Sequence, residues 1–129
     1  MSSISFFHVR QPIGSSLCGQ ACIATALDIP LDAGARLIGH RHGTKPKELA
    51  AVLHASGFSC SGKRVRYRRG QKLPQRALLS VSHSGNRRRF HWVLLWDGWV
   101  YDPERECPFE ACEPIFAGTP TLTSFMEIS

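Results

Sequence analysis

The spacing of apolar residues along the chain changes its period near Gly57. Before Gly57, apolar residues recur at the three- and four-residue intervals of helices, and after it they alternate with polar residues as in strands. Helices therefore come first and strands second, without the regular alternation that builds parallel sheets. The pattern predicts an α+β fold in which N-terminal helices pack on a C-terminal antiparallel sheet.

Three helices are expected in the N-terminal part. The first is rich in small residues and ends before Ile29-Pro30, and the second stops at Gly39. The third has the strongest start signal, with Thr44 as N-cap, Pro46 in the first turn and Glu48 near the capping-box position. The expected helices are Cys18 to about Asp28, Asp32 to Ile38, and Thr44 to Gly57.

The C-terminal part contains strand-like segments separated by turn residues. The expected strands are Phe58 to Cys60, Arg64 to Tyr67, Ala77 to Val81, Phe90 to Trp96, Trp99 to Tyr101 and Leu122 to Ile128. Asp97-Gly98 is a strong two-residue turn signal, so two of these strands form a tight hairpin. The resulting register pairs Trp96 with Trp99, Leu95 with Val100, Leu94 with Tyr101 and Val93 with Asp102.

The hairpin register places a histidine beside an acid. His91 lies two residues before Val93, on the same face of the strand, and is therefore diagonal to Asp102. Diagonal neighbours lie about 7–8 Å apart, within reach of a carboxylate and an imidazole. The competing acid, Asp97, is explained by the turn itself. His91 and Asp102 are therefore expected to form a general base and its orienting group.

Cys18 is the candidate nucleophile because it lies at the predicted start of the first helix. A helix N-terminus and a nearby imidazolium both favour the thiolate. The amide of Cys18 and the side chain of Gln11 are expected to stabilise an oxyanion, and Gly19 is expected to let a substrate carbonyl approach. The alternative for Cys18 alone is a small buried apolar residue.

Composition narrows the class of protein. The 129 residues, 43% of them hydrophobic, are enough for one domain with a core that needs no metal or disulfide. No apolar run approaches the roughly 20 residues of a membrane span, and residues 1–10 lack a secretory signal pattern. We therefore expect a single domain over residues 1–129 that is cytoplasmic or is secreted without a cleaved signal.

The five cysteines form no zinc signature, and neither does His40-x-His42. We expect no metal and no cofactor. An odd number of cysteines leaves at least one thiol free, and pairing of Cys107 with Cys112 remains open.

The net charge of +6 is concentrated in two segments, Lys63 to Arg69 and Arg87 to Arg89. The first alternates basic and apolar residues, which favours a solvated edge strand over a functional patch. If the segment has a function, substrate steering or contact with an acidic protein surface is expected, and nucleic acid is not the expected partner.

Together these residues resemble the papain-like cysteine peptidases, especially the small bacterial domains that cleave double-glycine leaders. The resemblance runs from Gln11 to Pro103. It is carried by Gln11, the helix start Cys18-Gly19-Gln20-Ala21-Cys22, the segment Ser56-Gly57-Phe58, the strand His91-Trp92-Val93-Leu94-Leu95, and Asp102-Pro103. It implies a papain-like fold without cofactor, in which the cysteine attacks, the histidine acts as base and then acid, the aspartate orients it and the glutamine lines the oxyanion hole. Gly19 and Trp92 are then expected beside a peptide or protein substrate.

Two features separate this chain from typical leader peptidases. Gln11 stands seven residues before Cys18 rather than the family's six, and we expect no attached transporter domain. A free-standing basic domain of this size resembles bacterial effectors, toxins or stand-alone processing enzymes. The alternatives to a peptidase are a glutamine deamidase or cell-wall amidase with the same triad, and a non-catalytic papain-like binding module that uses its basic patch.

Overall fold

The computed structural model describes residues 8–82, 90–111 and 121–129. These residues form helices followed by one antiparallel sheet, which confirms the predicted α+β class. The helices are α1 (Cys18–Leu27), α2 (Leu31–Ile38) and α3 (Pro46–Ala55). The strands are β1 (Val65–Arg66), β2 (Arg76–Ser82), β3 (His91–Trp96), β4 (Trp99–Tyr101), β5 (Phe109–Glu110) and β6 (Thr121–Glu127).

The six strands are ordered β1-β6-β2-β3-β4-β5, so β2 and β3 lie at the centre of the sheet. Alternate side chains of β3 enter two different apolar clusters. Trp92, Leu94 and Trp96 pack with residues of α1 and α3, whereas Val93 and Leu95 pack on the opposite face. Because both faces are covered, every residue of β3 is buried, and its first residue, His91, is held in a rigid frame.

The predicted hairpin register is confirmed for the pairs Trp96 with Trp99, Leu95 with Val100, and Leu94 with Tyr101. Both turn residues have positive φ, 51° at Asp97 and 89° at Gly98, as a tight hairpin of this kind requires. The strand β4 ends at Tyr101, so the fourth expected pair, Val93 with Asp102, lies beyond the observed ladder. Asp102 is therefore the first residue of the loop that leaves the hairpin.

Helix α3 begins one residue later than predicted, because its N-cap is Lys45 rather than Thr44. Pro46 occupies the first turn, and the Glu48 carboxylate accepts the N–H of Lys45 at 2.8 Å, which is the backbone half of a capping box. The Thr44 side chain is instead buried against Gly19 of α1. Thr44 therefore joins the two helices rather than capping one of them.

Two strand predictions need correction. Residues 58–60 form no strand, although Ser59 and Ser129 exchange two backbone hydrogen bonds of 2.7 and 3.0 Å. The edge strand β5 was not expected, because its two residues are too short to show alternation. The basic segment Arg87 to Arg89 and Cys112, the possible partner of Cys107, lie outside the described residues.

In the described part of the chain, no helix has the length and apolar character needed to cross a membrane.

Candidate active site

His91 and Asp102 are in direct contact at the open end of the hairpin. The imidazole Nε2 lies 2.6 Å from Asp102 Oδ1, and the two residues are only 7% and 6% exposed. The same carboxylate oxygen also accepts the backbone N–H of Glu104 at 2.9 Å. The predicted reach of the acid to the histidine is therefore present, with the acid fixed by its own loop.

The N-terminal segment holds the backbone of the Asp102 loop in place. The Asp102 carbonyl lies 2.8 Å from His8 Nε2, and the Pro103 carbonyl accepts the N–H of Gln11 at 3.0 Å. The N–H of Val9 donates to the hydroxyl of Thr25, so the segment is also fixed to α1. This arrangement ties the loop that carries the acid to the helix that carries Cys18.

The electrostatics of the pair favour an imidazolium next to a carboxylate. Burial lowers the pKa of His91, but the hydrogen bonds to Asp102 and Cys18 outweigh it and raise that pKa to about 10. Burial raises the pKa of Asp102, yet its hydrogen bonds to His91 and to the Glu104 amide leave it below the ordinary value. The site is therefore built to hold a proton on His91.

Cys18 is the first residue of α1 and is partly exposed. The first N–H groups of a helix have no carbonyl partner within it, so they can stabilise negative charge near the helix start. Because His91 uses Nε2 for Asp102, Nδ1 is the ring nitrogen left for its hydrogen bond with Cys18. The structure thus brings together Cys18, His91 and Asp102.

Cys22, one helical turn after Cys18, is fully buried and differs from it in chemistry. Its thiol lies 3.5 Å from the Trp92 carbonyl, to which it donates. Burial, followed by the negative charges of Cys18 and Asp102, raises the pKa of Cys22 well above its usual value. Cys22 is therefore a neutral packing residue, and of these two cysteines only Cys18 is accessible to a reagent or substrate.

Gln11 lies beside the site, but its amide nitrogen points into its own turn. The side-chain Nε2 donates to the Ser15 carbonyl at 2.8 Å, and Gln11 Oε1 is buried without a hydrogen-bond partner among the described residues. The same nitrogen donates to Ser15 Oγ at 3.4 Å, so both of its hydrogens have acceptors within the turn and none is left for the expected oxyanion contact. A cavity of about 280 Å³ opens here. It is lined by Arg10, Gln11, Pro12, Ile13, Gly14, Ser15 and Glu104.

The two residues expected to contact substrate are located in the protein interior. Trp92 is 1% exposed and belongs to the core, with its indole N–H directed at the Thr44 carbonyl 3.5 Å away. Trp92 is therefore a core residue, adjacent to His91 in β3, and has no surface for a substrate. Gly19 is also buried, and the position that a Cβ would take lies 2.0 Å from Thr44 Oγ1. Close helix packing alone thus accounts for a glycine at this position.

Sequence reasoning missed two ionisable residues at the site. Glu104 Oε1 lies 3.5 Å from His91 Nδ1, with its side chain half exposed at the rim of the cavity. His8 lies three residues before the resembling segment, so no motif included it. For Glu104, the only indication in the sequence was its position two residues after Asp102.

No protein-family model and no curated protein sequence matches this chain. Within the described ranges, no group of His, Cys, Asp and Glu side chains is arranged to hold a metal ion. The chemistry of the site therefore has to be inferred from its own geometry.

Proposed function

We propose that the protein is a thiol-dependent hydrolase of the papain-like type, which cleaves a peptide or amide bond through an acyl-enzyme. The observation that carries this proposal is the buried His91–Asp102 pair, 2.6 Å apart, with Cys18 at a helix start as the third interacting group. A nucleophile, a proton carrier and an orienting acid are the groups that such chemistry requires. None of them needs a cofactor.

In the proposed reaction, the Cys18 thiolate attacks the substrate carbonyl and forms a tetrahedral oxyanion. The proton on His91 Nδ1 passes to the leaving nitrogen, the carbon–nitrogen bond breaks, and a thioester remains on Cys18. His91 then takes a proton from water as the water attacks the thioester, and collapse releases a carboxylic acid and the thiolate. Asp102 keeps its hydrogen bond to Nε2 throughout and so maintains the orientation of the ring.

The order and placement of the elements also support a papain-like fold. Cys18 begins α1, His91 begins a central strand, and Asp102 follows the hairpin partner of that strand. The helices pack on one face of the sheet, so the proposed nucleophile and the proposed base approach each other from different layers. This is the arrangement that the family resemblance implies.

Alkylation by iodoacetamide, mapped by peptide mass spectrometry, tests the proposal without knowledge of the substrate. At pH 6.5 we expect Cys18 to react at least about tenfold faster than Cys107, which is exposed but has no histidine partner among the described contacts. The rate at Cys18 should fall to that of Cys107 in His91→Ala, with the far-UV spectrum unchanged. Equal rates at the two cysteines of the wild-type protein would contradict the proposal.

The bond that is attacked is tested separately by intact-mass analysis of peptide substrates. Two fragments from one peptide would support peptidolysis, whereas an unbroken peptide in which a glutamine has become glutamate would indicate deamidation. Cys18→Ala is the control, because it should retain the fold and lose both products.

A further inference from the structure

A second cavity, of about 350 Å³, opens at the β1–β6 edge of the sheet. It lies between the start of α3, the loop before β1, and β6. Its lining residues are Pro46, Gly62, Lys63, Arg64, Arg66, Thr123 and Ser124. The lining therefore combines three cations with two hydroxyls and contains no acid.

The three cations of this basic cavity lack acidic partners in the described part of the chain. Lys63, Arg64 and Arg66 form no ion pair there, whereas Arg76 is paired with Asp97 at 3.0 Å. Unpaired positive charges in a concave surface attract anions, because the low-dielectric walls concentrate the field. The cavity is therefore suited to a negatively charged ligand.

Contacts with neighbouring side chains orient the central cation of the cavity. The guanidinium of Arg64 lies 4.4 Å from the centre of the Phe90 ring and donates to Ser80 Oγ at 3.3 Å. Thr123 Oγ1 donates to the Ser80 carbonyl at 3.0 Å, which fixes the wall of the cavity. A held guanidinium loses less freedom when it binds a carboxylate, so it binds more effectively than a free surface charge.

Two short series of contacts connect the basic cavity with the proposed active site. Pro46 lines it and lies two residues, at most about 7 Å of backbone, from Thr44, which packs against Gly19 next to Cys18. On the sheet, Arg64 stacks on Phe90, the residue before His91. An extended peptide whose scissile bond lies at Cys18 would therefore reach the cavity a few residues away from that bond.

We propose that the basic cavity binds acidic side chains of a peptide substrate near its scissile bond. This inference rests on the proposed function, because only a hydrolase has a substrate with a scissile bond. Arg64 directly precedes β1 and Arg66 ends it, so the two residues are about 6.6 Å apart along extended backbone. Acidic residues at alternate positions of an extended peptide have the same backbone spacing, so a pair of them matches the two arginines better than a single compact anion does.

Binding of a fluorescein-labelled oligoglutamate peptide to the Cys18→Ala protein, followed by anisotropy at low salt, tests the proposal. We expect Arg66→Gln and Arg64→Gln each to weaken binding by about fivefold, the upper range for an exposed charge pair. Arg69→Gln is the matched control. It removes the same charge from the same segment but does not line the cavity, so its affinity should equal that of the parent. An equal loss in all three variants would show a general charge effect and overturn the assignment.

Two competitors identify the chemical class of the ligand. Unlabelled oligoglutamate should displace the probe at lower concentration than tripolyphosphate or a short single-stranded oligonucleotide. Tighter competition by either of the latter would overturn an acidic peptide as the occupant. Because these measurements use an inactive variant, they remain interpretable even if Cys18 alkylation contradicts the proposed hydrolase.

Bound oligoglutamate should also slow iodoacetamide labelling of Cys18 in the wild-type protein, and the concentration that gives half of the protection should rise about fivefold in Arg66→Gln. An unchanged half-protecting concentration in Arg66→Gln, or no protection of the wild-type protein, would place the cavity apart from the proposed active site and overturn its assignment to substrate.

Discussion

Gly19→Ala offers the sharpest test of how the start of α1 is built. The added Cβ would lie 2.0 Å from Thr44 Oγ1 and 2.9 Å from both Thr44 Cβ and Cγ2, whereas carbon atoms in favourable contact lie about 3.5–4.0 Å apart. Overpacking of this kind typically costs about 1–3 kcal/mol, and the better helix propensity of alanine returns up to about 1 kcal/mol. We therefore expect a net loss of about 1–2 kcal/mol in the free energy of unfolding, measured by urea denaturation.

The partner variant Thr44→Ala makes the reasoning refutable. It removes Oγ1 and Cγ2, and with them a buried hydroxyl that has no hydrogen-bond partner in the described structure, so alone it should be close to neutral. Combined with Gly19→Ala it should recover part of the lost stability, because the contact of 2.0 Å is removed while the Cβ of residue 44 still lies 2.9 Å from the added Cβ. Gly43→Ala is the control, because a Cβ there meets no atom within 4 Å. Gly19→Ala with wild-type stability, or a double variant as unstable as Gly19→Ala, would refute the packing explanation.

The same pair of variants separates packing from substrate approach. If Gly19 serves packing alone, the double variant should regain the rapid alkylation of Cys18 together with its stability. A stable double variant in which Cys18 stays unreactive would instead support the sequence-based expectation that the backbone at Gly19 must remain open to the reacting group.

Other predictions concern charge and packing. Asp102→Asn should lower the pKa of His91, as followed by NMR of the imidazole, since it removes the anion that opposes desolvation; an unchanged titration would contradict this. The pKa of His91 is raised from 6.5 to about 10, so the stabilisation of the folded state by protonated His91 should be complete below pH 6.5 and lost towards pH 10. In denaturant titrations, the difference in the free energy of unfolding between the wild-type protein and His91→Ala should therefore become smaller from pH 6.5 to pH 10. Met126→Ala, at a fully buried core position, should cost about 2–5 kcal/mol. Arg76→Ala, at the partly buried pair with Asp97, should cost only about 1 kcal/mol, and the reverse order in urea denaturation would contradict the burial argument.

The parts of the fold that the sequence predicted are those governed by local rules. Asp97-Gly98 specifies a tight turn by its backbone preference, and the strand period then determines which residues face each other, so the contact of His91 with Asp102 followed from the chain alone. The start of α1 at Cys18 was equally local.

The errors concern contacts between elements that are distant in the sequence. Thr44 was predicted to cap α3, but its side chain packs against Gly19 of α1 instead. A local sequence motif does not show that a distant glycine offers this alternative contact. Trp92 was expected near substrate, but the packing of α1 and α3 over β3 buries it. Glu104 gave no local signal because its approach to His91 depends on the path of the loop after the hairpin.

The two-residue hairpin turn also has a consequence for the order of assembly. His91 begins one strand of the hairpin and Asp102, eleven positions later, directly follows the other strand, whereas Cys18 belongs to a helix far away in the chain. Hairpins of this kind form within about 1–10 μs, while contacts between distant elements wait for slower loop closure. The acid–base half of the site is thus expected to assemble before the thiol arrives. Under the proposed function, reactivity of Cys18 then serves as a readout of completed tertiary folding, since a partly folded chain contains all three groups but not yet the contact between Cys18 and His91.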